Sequence, residues 1–163
     1  MSDWYFAYGS NMWADQMASR TGPVADGDHG PRRAFLPEYQ LTFDVPGDDD
    51  QAFANVRQPG PGVHGVLYFC TPDALTRLDQ FEWGYERRRI TVVLEDGALL
   101  DAFIYIAGPA GLVQGRTPTA AYLLRILTGA RQHGLPEDYV RGIEALASGK
   151  TVTEEPAGGS DSR

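Results

Sequence analysis

Residues 87–106 read RRRITVVLEDGALLDAFIYI. Two segments of this stretch, 87–94 and 99–106, are rich in β-branched, aromatic and leucine residues, and they flank the sequence Glu-Asp-Gly-Ala. An Asp-Gly pair between two such segments is a strong short-range signal for a β-hairpin. The stretch therefore predicts two antiparallel strands, and it points to an antiparallel sheet for the rest of the chain.

Other segments of the chain also have the composition or the alternation of strands. They are residues 4–8, 34–45, 53–57 and 63–70. Short runs of Gly, Pro, Ser and Asp separate most of them, and strands that follow one another through turns favour antiparallel pairing over a parallel α/β fold. We therefore predict an α+β protein with six or seven strands in a mostly antiparallel sheet or small barrel.

Four short helices are predicted at the periphery of this sheet, each from a start signal and an amphipathic pattern. They are residues 12–20 after Asn11 as cap, residues 72–82 after Thr71 as cap, a helix that starts at Thr117-Pro118 and ends before Gly134, and a last helix that opens at Leu135-Pro136. From residue 148 onward the chain is small and polar. We expect one domain over residues 1–147 and a disordered tail over residues 148–163.

Composition and charge exclude several classes of partner. The 163 residues include 22 Asp and Glu against 14 Lys and Arg, which gives a net charge of -8. Nucleic acids and anionic membranes attract basic surfaces, so we expect neither as a partner. The chain has a single cysteine, Cys70, no signal-peptide pattern at its start and no apolar stretch long enough to span a bilayer. These features predict a cytoplasmic protein.

The first candidate site is the turn Tyr8-Gly9-Ser10-Asn11-Met12, which joins a predicted strand to a predicted helix. Glycine allows a ligand to approach the main chain closely, and N–H groups at a helix start favour a carboxylate or an oxyanion. The alternative is a plain strand-to-helix corner with Asn11 as the cap. A nucleophilic Ser10 is disfavoured, because the chain has no Gly-x-Ser-x-Gly elbow and no designated histidine partner.

The second candidate is Glu82, at the end of a predicted amphipathic helix and flanked by Phe81 and Trp83. Aromatic neighbours can exclude water from a carboxylate, which raises its pKa and makes it a general base near neutral pH. The alternative is an exposed glutamate in a last helical turn, where the helix dipole is unfavourable for it.

The remaining chemistry-bearing residues give weaker signals. The three histidines, His29, His64 and His133, have no metal-ligand spacing relative to one another or to Cys70, so no metal site is predicted. Tyr122, near the start of a helix, is more often a core residue than a site residue.

Four elements follow one another along the chain. They are Tyr8-Gly9-Ser10-Asn11, Leu78-Asp79-Gln80-Phe81-Glu82, Tyr85-Glu86-Arg87, and the C-terminal set of Tyr122, Gly129-Ala130, Gly134-Leu135-Pro136 and Tyr139. Taken together, these elements resemble the γ-glutamylcyclotransferase family, also described as AIG2-like, over residues 4–147. Trp83 is a departure from the family pattern, because many members have Glu-Gly directly and a longer segment before the Tyr-x-Arg element.

The resemblance implies a small mixed, mostly antiparallel β-barrel and an enzyme that converts γ-glutamyl amides to 5-oxoproline. It implies that Glu82 acts as general base and acid, without a metal or an organic cofactor. Backbone N–H groups of residues 9–12 would hold either the substrate carboxylate or the oxyanion. The implied substrate-binding residues are Tyr8, Gly9, Ser10, Asn11, Met12, Tyr85 and Tyr122.

The resemblance does not decide the substrate or the type of reaction. The leaving group is an amino acid, an ε-lysine amine, or a γ-glutamyl-protected intermediate, which a carrier could tether. Trp83 is expected to reshape the pocket beside Glu82, which leaves the substrate identity open. A hydrolase would use Glu82 to activate water instead. A non-catalytic ligand-binding protein would keep the fold and the pocket without turnover.

Overall fold

The computed structural model describes residues 1–149, so the predicted tail lies outside the described residues beyond Gly149. Within that range the strands are β1 (Asp3–Ala7), β2 (Arg32–Leu36), β3 (Gln40–Pro46), β4 (Ala52–Arg57), β5 (Val63–Cys70), β6 (Glu86–Leu94) and β7 (Leu99–Ile106). The α-helices are α1 (Ala14–Thr21), α2 (Pro72–Phe81), α3 (Ala120–Gln132) and α4 (Glu137–Ala147), and 3₁₀ turns cover Ser10–Met12 and Gly27–His29. None of the helices in residues 1–149 has the length and hydrophobicity needed to cross a membrane.

Five strands form a closed barrel in the order β1-β5-β2-β6-β7. The barrel closes where β1 runs parallel to β7, with Tyr5 opposite Phe103, and the other strand pairs of the barrel are antiparallel. Strands β3 and β4 form a separate antiparallel hairpin. The predicted fold class, a mixed and mostly antiparallel barrel with peripheral helices, is confirmed.

The hairpin of residues 87–106 forms as its sequence predicts. Strand β6 pairs with β7 from Glu86 opposite Ile106 to Val93 opposite Leu99. Gly97 has a φ of +89°, a conformation that glycine adopts without strain and other residues rarely take. Alternation places Ala102 and Ile104 in the core, where both are fully buried.

The predicted start of α2 is also confirmed, whereas that of α3 is wrong by two residues. The Thr71 hydroxyl accepts a hydrogen bond from the N–H of Ala74 at 3.1 Å and caps α2. In α3 the cap is Thr119, whose hydroxyl accepts from the N–H of Tyr122 at 3.1 Å. The carbonyl oxygen of Thr117 instead accepts a hydrogen bond from the N–H of Ala52 at 3.1 Å. This contact with the start of β4 keeps Thr117 extended.

Two other sequence predictions need correction. Asn11 does not cap a helix over residues 12–20, because a 3₁₀ turn comes first and the cap residue of α1 is Trp13. The segment 34–45 is not one continuous strand. Its two halves are β2 and β3, and the chain reverses between them at Glu38, which has a φ of +70°.

Helix α3 packs directly on the 3₁₀ turn that follows β1. A Cβ atom at Gly129 would lie 2.3 Å from the Trp13 nitrogen and 2.5 Å from the carbonyl carbon of Met12. Only a residue without a side chain allows backbone contact this close. Gly129 therefore fixes how near α3, and the side chains it carries, lie to the Tyr-Gly-Ser-Asn turn.

Candidate active site

A cavity of about 690 Å³ is formed where β1, the end of α2, β4, β7 and α3 meet. Its inner wall combines apolar residues such as Val45 and Ala107 with polar side chains that are distant in sequence. The polar wall residues include Tyr5, Tyr8, Asn11, Glu82, Tyr85 and Tyr122. The two candidate sites of the sequence, the turn and the glutamate, thus line one cavity.

Glu82 reaches the cavity because α2 ends just before it. Glu82 has non-helical dihedral angles, a φ of -99° and a ψ of 45°, and Gly84 reverses the chain with a φ of +90°. The Glu82 side chain is 14% exposed. Three residues earlier, Asp79 accepts a hydrogen bond from the Tyr105 hydroxyl at 2.5 Å, which ties the last turn of α2 to β7.

Asn11 links the Tyr-Gly-Ser-Asn turn to Glu82. Its Nδ2 donates to Glu82 Oε2 at 3.3 Å and to the Tyr5 hydroxyl at 3.1 Å. Its Oδ1 accepts from Gln16 Nε2 at 2.9 Å and from Arg20 Nη1 at 3.1 Å. Since two donors hold the amide oxygen, the amide nitrogen must face the carboxylate.

The electrostatic environment makes Glu82 a weak acid. Burial raises the pKa of its carboxyl group from 4.5 to about 7. The positive charge of Arg20, whose Nη1 lies 3.6 Å from Oε2, lowers the pKa, as does the hydrogen bond from Asn11, and the negative charge of Asp79 raises it. A carboxyl group with this pKa exchanges protons near neutral pH.

The phenols around Glu82 are neutral, because burial raises the pKa of Tyr5, Tyr8, Tyr85 and Tyr122 above the usual value for tyrosine. Their hydrogen bonds give them different roles. The Tyr85 hydroxyl donates to the carbonyl oxygen of Ala54 at 2.6 Å, so toward a ligand it acts as an acceptor. The Tyr122 hydroxyl accepts from the N–H of Ala54 at 3.1 Å, and its own proton remains for a ligand.

Among the predicted substrate-binding residues, Met12 lies outside the cavity. Its side chain is fully buried in the core, and its N–H donates to the carbonyl oxygen of Gly9 at 3.1 Å. The first N–H groups of a helical turn have no partner within the turn, so Gly9, Ser10 and Asn11 keep theirs for a ligand. Residues 8–11 thus line the cavity, and Met12 does not.

Several residues that line the cavity, or that support Asn11 from behind it, have no clear signal in the sequence. Gln16 and Arg20 lie four residues apart, a spacing that puts them on one face of α1, where both reach Asn11. That spacing is visible in the sequence, but it does not say what the face contacts. Tyr5, Tyr105 and Arg125 also line the cavity, and only the fold brings them there.

Ser10 lines the cavity, and its hydroxyl accepts a hydrogen bond from Gln16 Nε2 at 2.6 Å. The histidines and the cysteine singled out in the sequence lie outside the cavity. His29 stacks on Phe69, His64 packs on Phe35 and Tyr139, and Cys70 is buried. Within residues 1–149, no group of three or more His, Cys, Asp and Glu side chains is arranged to hold a metal ion.

Comparisons with known proteins agree with this architecture. A family model described as gamma-glutamyl cyclotransferase, AIG2-like, matches residues 5–123. The chain is similar to a solved structure named gamma-glutamyl cyclotransferase, with 23% identity over 99% of this chain and 94% of the other and a TM-score of 0.79.

Two other solved structures are similar. One is an uncharacterized protein from Homo sapiens, with 24% identity, coverage of 99% and 92%, and a TM-score of 0.77. The other is YkqA from Bacillus subtilis, with 24% identity over 90% of this chain and a TM-score of 0.77; the chain spans 54% of YkqA. At these identities the structures establish a shared fold. No curated protein sequence matches the chain.

Proposed function

The chain belongs to the gamma-glutamyl cyclotransferase, AIG2-like family, and from this we propose that it cyclises γ-glutamyl amides, releasing 5-oxoproline and an amine or amino acid. One observation carries the proposal. Glu82 lines the cavity with its pKa raised to about 7, and it is hydrogen-bonded to Asn11 of the Tyr-Gly-Ser-Asn turn. This combination supplies a base beside a set of main-chain donors.

In the proposed reaction the α-amine of the glutamyl group attacks its own γ-carbonyl carbon. The α-ammonium must first lose a proton, and the Glu82 carboxylate accepts it. A new C–N bond then closes the lactam, its nitrogen loses a second proton, and the amide C–N bond breaks. Glu82 passes both protons to the departing nitrogen, which leaves as an ammonium group. The products together are an isomer of the substrate, so no water is consumed.

Binding and orientation account for the rest of the proposed catalysis. The attack is intramolecular, so a pocket that holds the extended glutamyl chain in a bent shape lowers the barrier by several kcal/mol or more. The N–H groups of Gly9, Ser10 and Asn11 and the hydroxyl proton of Tyr122 are the donors available for the carboxylate or the oxyanion. Tyr85 offers an acceptor for the ammonium group. A carrier-tethered γ-glutamyl substrate would use the same groups.

The proposal is tested with a panel of γ-glutamyl amides whose products are separated and quantified. We expect 5-oxoproline to accumulate in equal amount to the released amine. Free glutamate in place of 5-oxoproline would favour a hydrolase and contradict the proposal. Saturable binding measured by calorimetry, with neither product formed, would favour the non-catalytic alternative.

A further inference from the structure

The mouth of the cavity differs in chemistry from its inner wall. We define the mouth as the exposed residues that line the cavity. All but one are apolar residues or glycine, namely Pro46, Phe81, Trp83, Gly84, Ala110 and Gly111. The exception is Arg125. The mouth is therefore an apolar surface with a single charged side chain, and that charge is positive.

Arg125 is available to bind a ligand. Three charged side chains line the cavity, and two of them, Arg20 and Glu82, pair with each other at 3.6 Å. Among the residues that the structure describes, Arg125 makes no ion pair and no side-chain hydrogen bond. It follows Tyr122 by three residues on α3, so both side chains lie on the same face of that helix.

The apolar part of the mouth is unusually open to water. The Trp83 side chain is 90% exposed and that of Phe81 is 50% exposed. Exposed aromatic groups beside a cavity mark binding surfaces, because contact with an apolar ligand removes them from water. Arg20 already covers one face of Phe81, with its guanidinium carbon 4.8 Å from the ring centre. Trp83 offers the larger free surface.

We propose that the mouth is the leaving-group subsite and that it selects amino acids with an apolar side chain and a free carboxylate. Arg125 binds the carboxylate, and Trp83 packs against the side chain. This inference rests on the proposed function, since it takes the glutamyl group to occupy the inner wall beside Glu82. The substrates are then γ-glutamyl dipeptides.

Cationic leaving groups fit the mouth poorly. A diamine or a lysine side chain would bring an ammonium group toward Arg125, which repels it. The only acidic side chain that lines the cavity, among the described residues, is Glu82, and Arg20 pairs with it. The substrate and the products balance as in the proposed reaction, with two protons of the α-ammonium passing to the amine of the released amino acid.

A matched pair of substrates isolates the role of Arg125. γ-Glutamyl-leucine and γ-glutamyl-3-methylbutylamine differ only in the carboxylate of the leaving group, and γ-glutamyl-1,4-diaminobutane adds a cation. We expect wild-type kcat/KM to favour the leucine compound about fivefold over the methylbutylamine compound, the size of an exposed ion pair. Arg125→Gln should reduce that ratio to about one. Arg131→Gln, on the same helix and outside the cavity, should leave the ratio unchanged.

Trp83 is tested by the size of the leaving side chain. Wild-type protein should favour γ-glutamyl-phenylalanine over γ-glutamyl-alanine about fivefold, because the larger side chain buries more apolar surface. Trp83→Ala should remove most of that preference. Leu99→Ala deletes another exposed apolar side chain, outside the cavity, and serves as the control.

The outcomes separate this inference from the proposed function. Equal kcat/KM for the matched pair, or an unchanged kcat/KM ratio in Arg125→Gln, would contradict the proposed subsite. Neither result would contradict the proposed cyclisation. If no compound yields 5-oxoproline, calorimetric titration of the same pair of compounds tests the subsite by binding alone. Tighter binding of γ-glutamyl-leucine that depends on Arg125 supports the subsite, and equal binding overturns it.

Discussion

Asn11 Nδ2 lies 3.3 Å from Glu82 Oε2, although 71 residues of chain separate the two. The amide faces the carboxylate because Gln16 and Arg20 hold its oxygen from the other side. One face of α1 thereby orients the turn after β1 against the end of α2. The position of the proposed base depends on this contact.

Replacing Glu82 by Gln should abolish turnover. The amide keeps the shape of the side chain but cannot accept the proton of the α-ammonium, and loss of general base catalysis costs about 10²–10⁴-fold in rate. We expect kcat for 5-oxoproline release to fall by that amount while calorimetry still detects substrate binding. Glu86→Gln, an exposed change on β6, should keep full activity. Full activity in Glu82→Gln would remove Glu82 from the mechanism.

The same variant should be more stable than the wild type at high pH. The pKa of Glu82 rises from 4.5 to about 7 on folding, so ionising it destabilises the folded state, and the cost is absent below pH 4.5 and complete above pH 7. That cost is about 3 kcal/mol at most. The Tm of Glu82→Gln should therefore exceed that of the wild type at pH 8 and approach it at pH 5. A variant that is less stable at pH 8 contradicts the buried-charge argument.

The rate should depend on pH through Glu82. The carboxylate is the reactive form, so kcat/KM should rise with pH along a limb whose midpoint is about 7, the pKa of this group. A profile measured from pH 5 to 9 checks this. A midpoint near 4.5 would mean that the carboxyl group is solvated during the reaction.

The charge of Arg20 should set the pH at which kcat/KM rises. Its guanidinium lowers the pKa of Glu82, so Arg20→Gln should move the midpoint of kcat/KM to higher pH and reduce activity several-fold at pH 6.5. Arg20→Lys retains the positive charge, so its midpoint should lie close to that of the wild type. Arg77→Gln, an exposed change on α2, is the control for lost positive charge. A lower rate with an unmoved midpoint would assign Arg20 a structural role alone.

Tyr122→Phe should impair the reaction more than folding. The change removes the hydroxyl proton that remains for a ligand and the acceptor for the N–H of Ala54. We expect kcat/KM to fall about tenfold and stability to fall about 1 kcal/mol, the usual worth of such a hydrogen bond. Tyr139→Phe is the same chemical change outside the cavity and should keep kcat/KM. Equal losses in both variants would show that the hydroxyl of Tyr122 does not act on the substrate.

Gly129→Ala should displace α3. Its Cβ would lie 2.3 Å from the Trp13 nitrogen, so the helix must shift and carry Tyr122 and Arg125 with it. Overpacking of this kind costs about 1–3 kcal/mol, and we expect a lower Tm together with a higher KM. Gly108→Ala is the control, because its Cβ would meet no atom within 4 Å. Unchanged Tm and KM would show that α3 tolerates a wider spacing.

The sequence predicts the strands well because their signals are local. Alternation of apolar residues and the Asp-Gly turn act within a few residues. Strand β5 and the hairpin of β6 and β7 therefore follow from local sequence patterns alone. Helix α2 follows equally from Thr71 and Pro72. Closure of the barrel by β1 against β7 has no local signal, and the family resemblance implied a mixed barrel without saying which strands close it.

The site is predictable in part. Glu82 stands out in the sequence because aromatic residues flank it, and Tyr-Gly-Ser-Asn stands out as a turn. The role of Asn11 is not predictable from its neighbours in sequence, because its short side chain can either cap a helix or form hydrogen bonds with distant groups. Hydrogen bonds from Gln16 and Arg20 select the second arrangement. Arg125 escapes sequence analysis because an arginine on a helix usually faces solvent. Its place at the mouth follows only from the position of α3.

The parallel closure of the barrel has a consequence for how the protein is made. Strand β1 is synthesised before its partners β5 and β7, which end at residues 70 and 106. Gly129, which packs on the turn after β1, is synthesised later still. Contacts this distant in sequence slow folding. A nascent chain that already contains Glu82 thus has no assembled pocket until α3 has been synthesised.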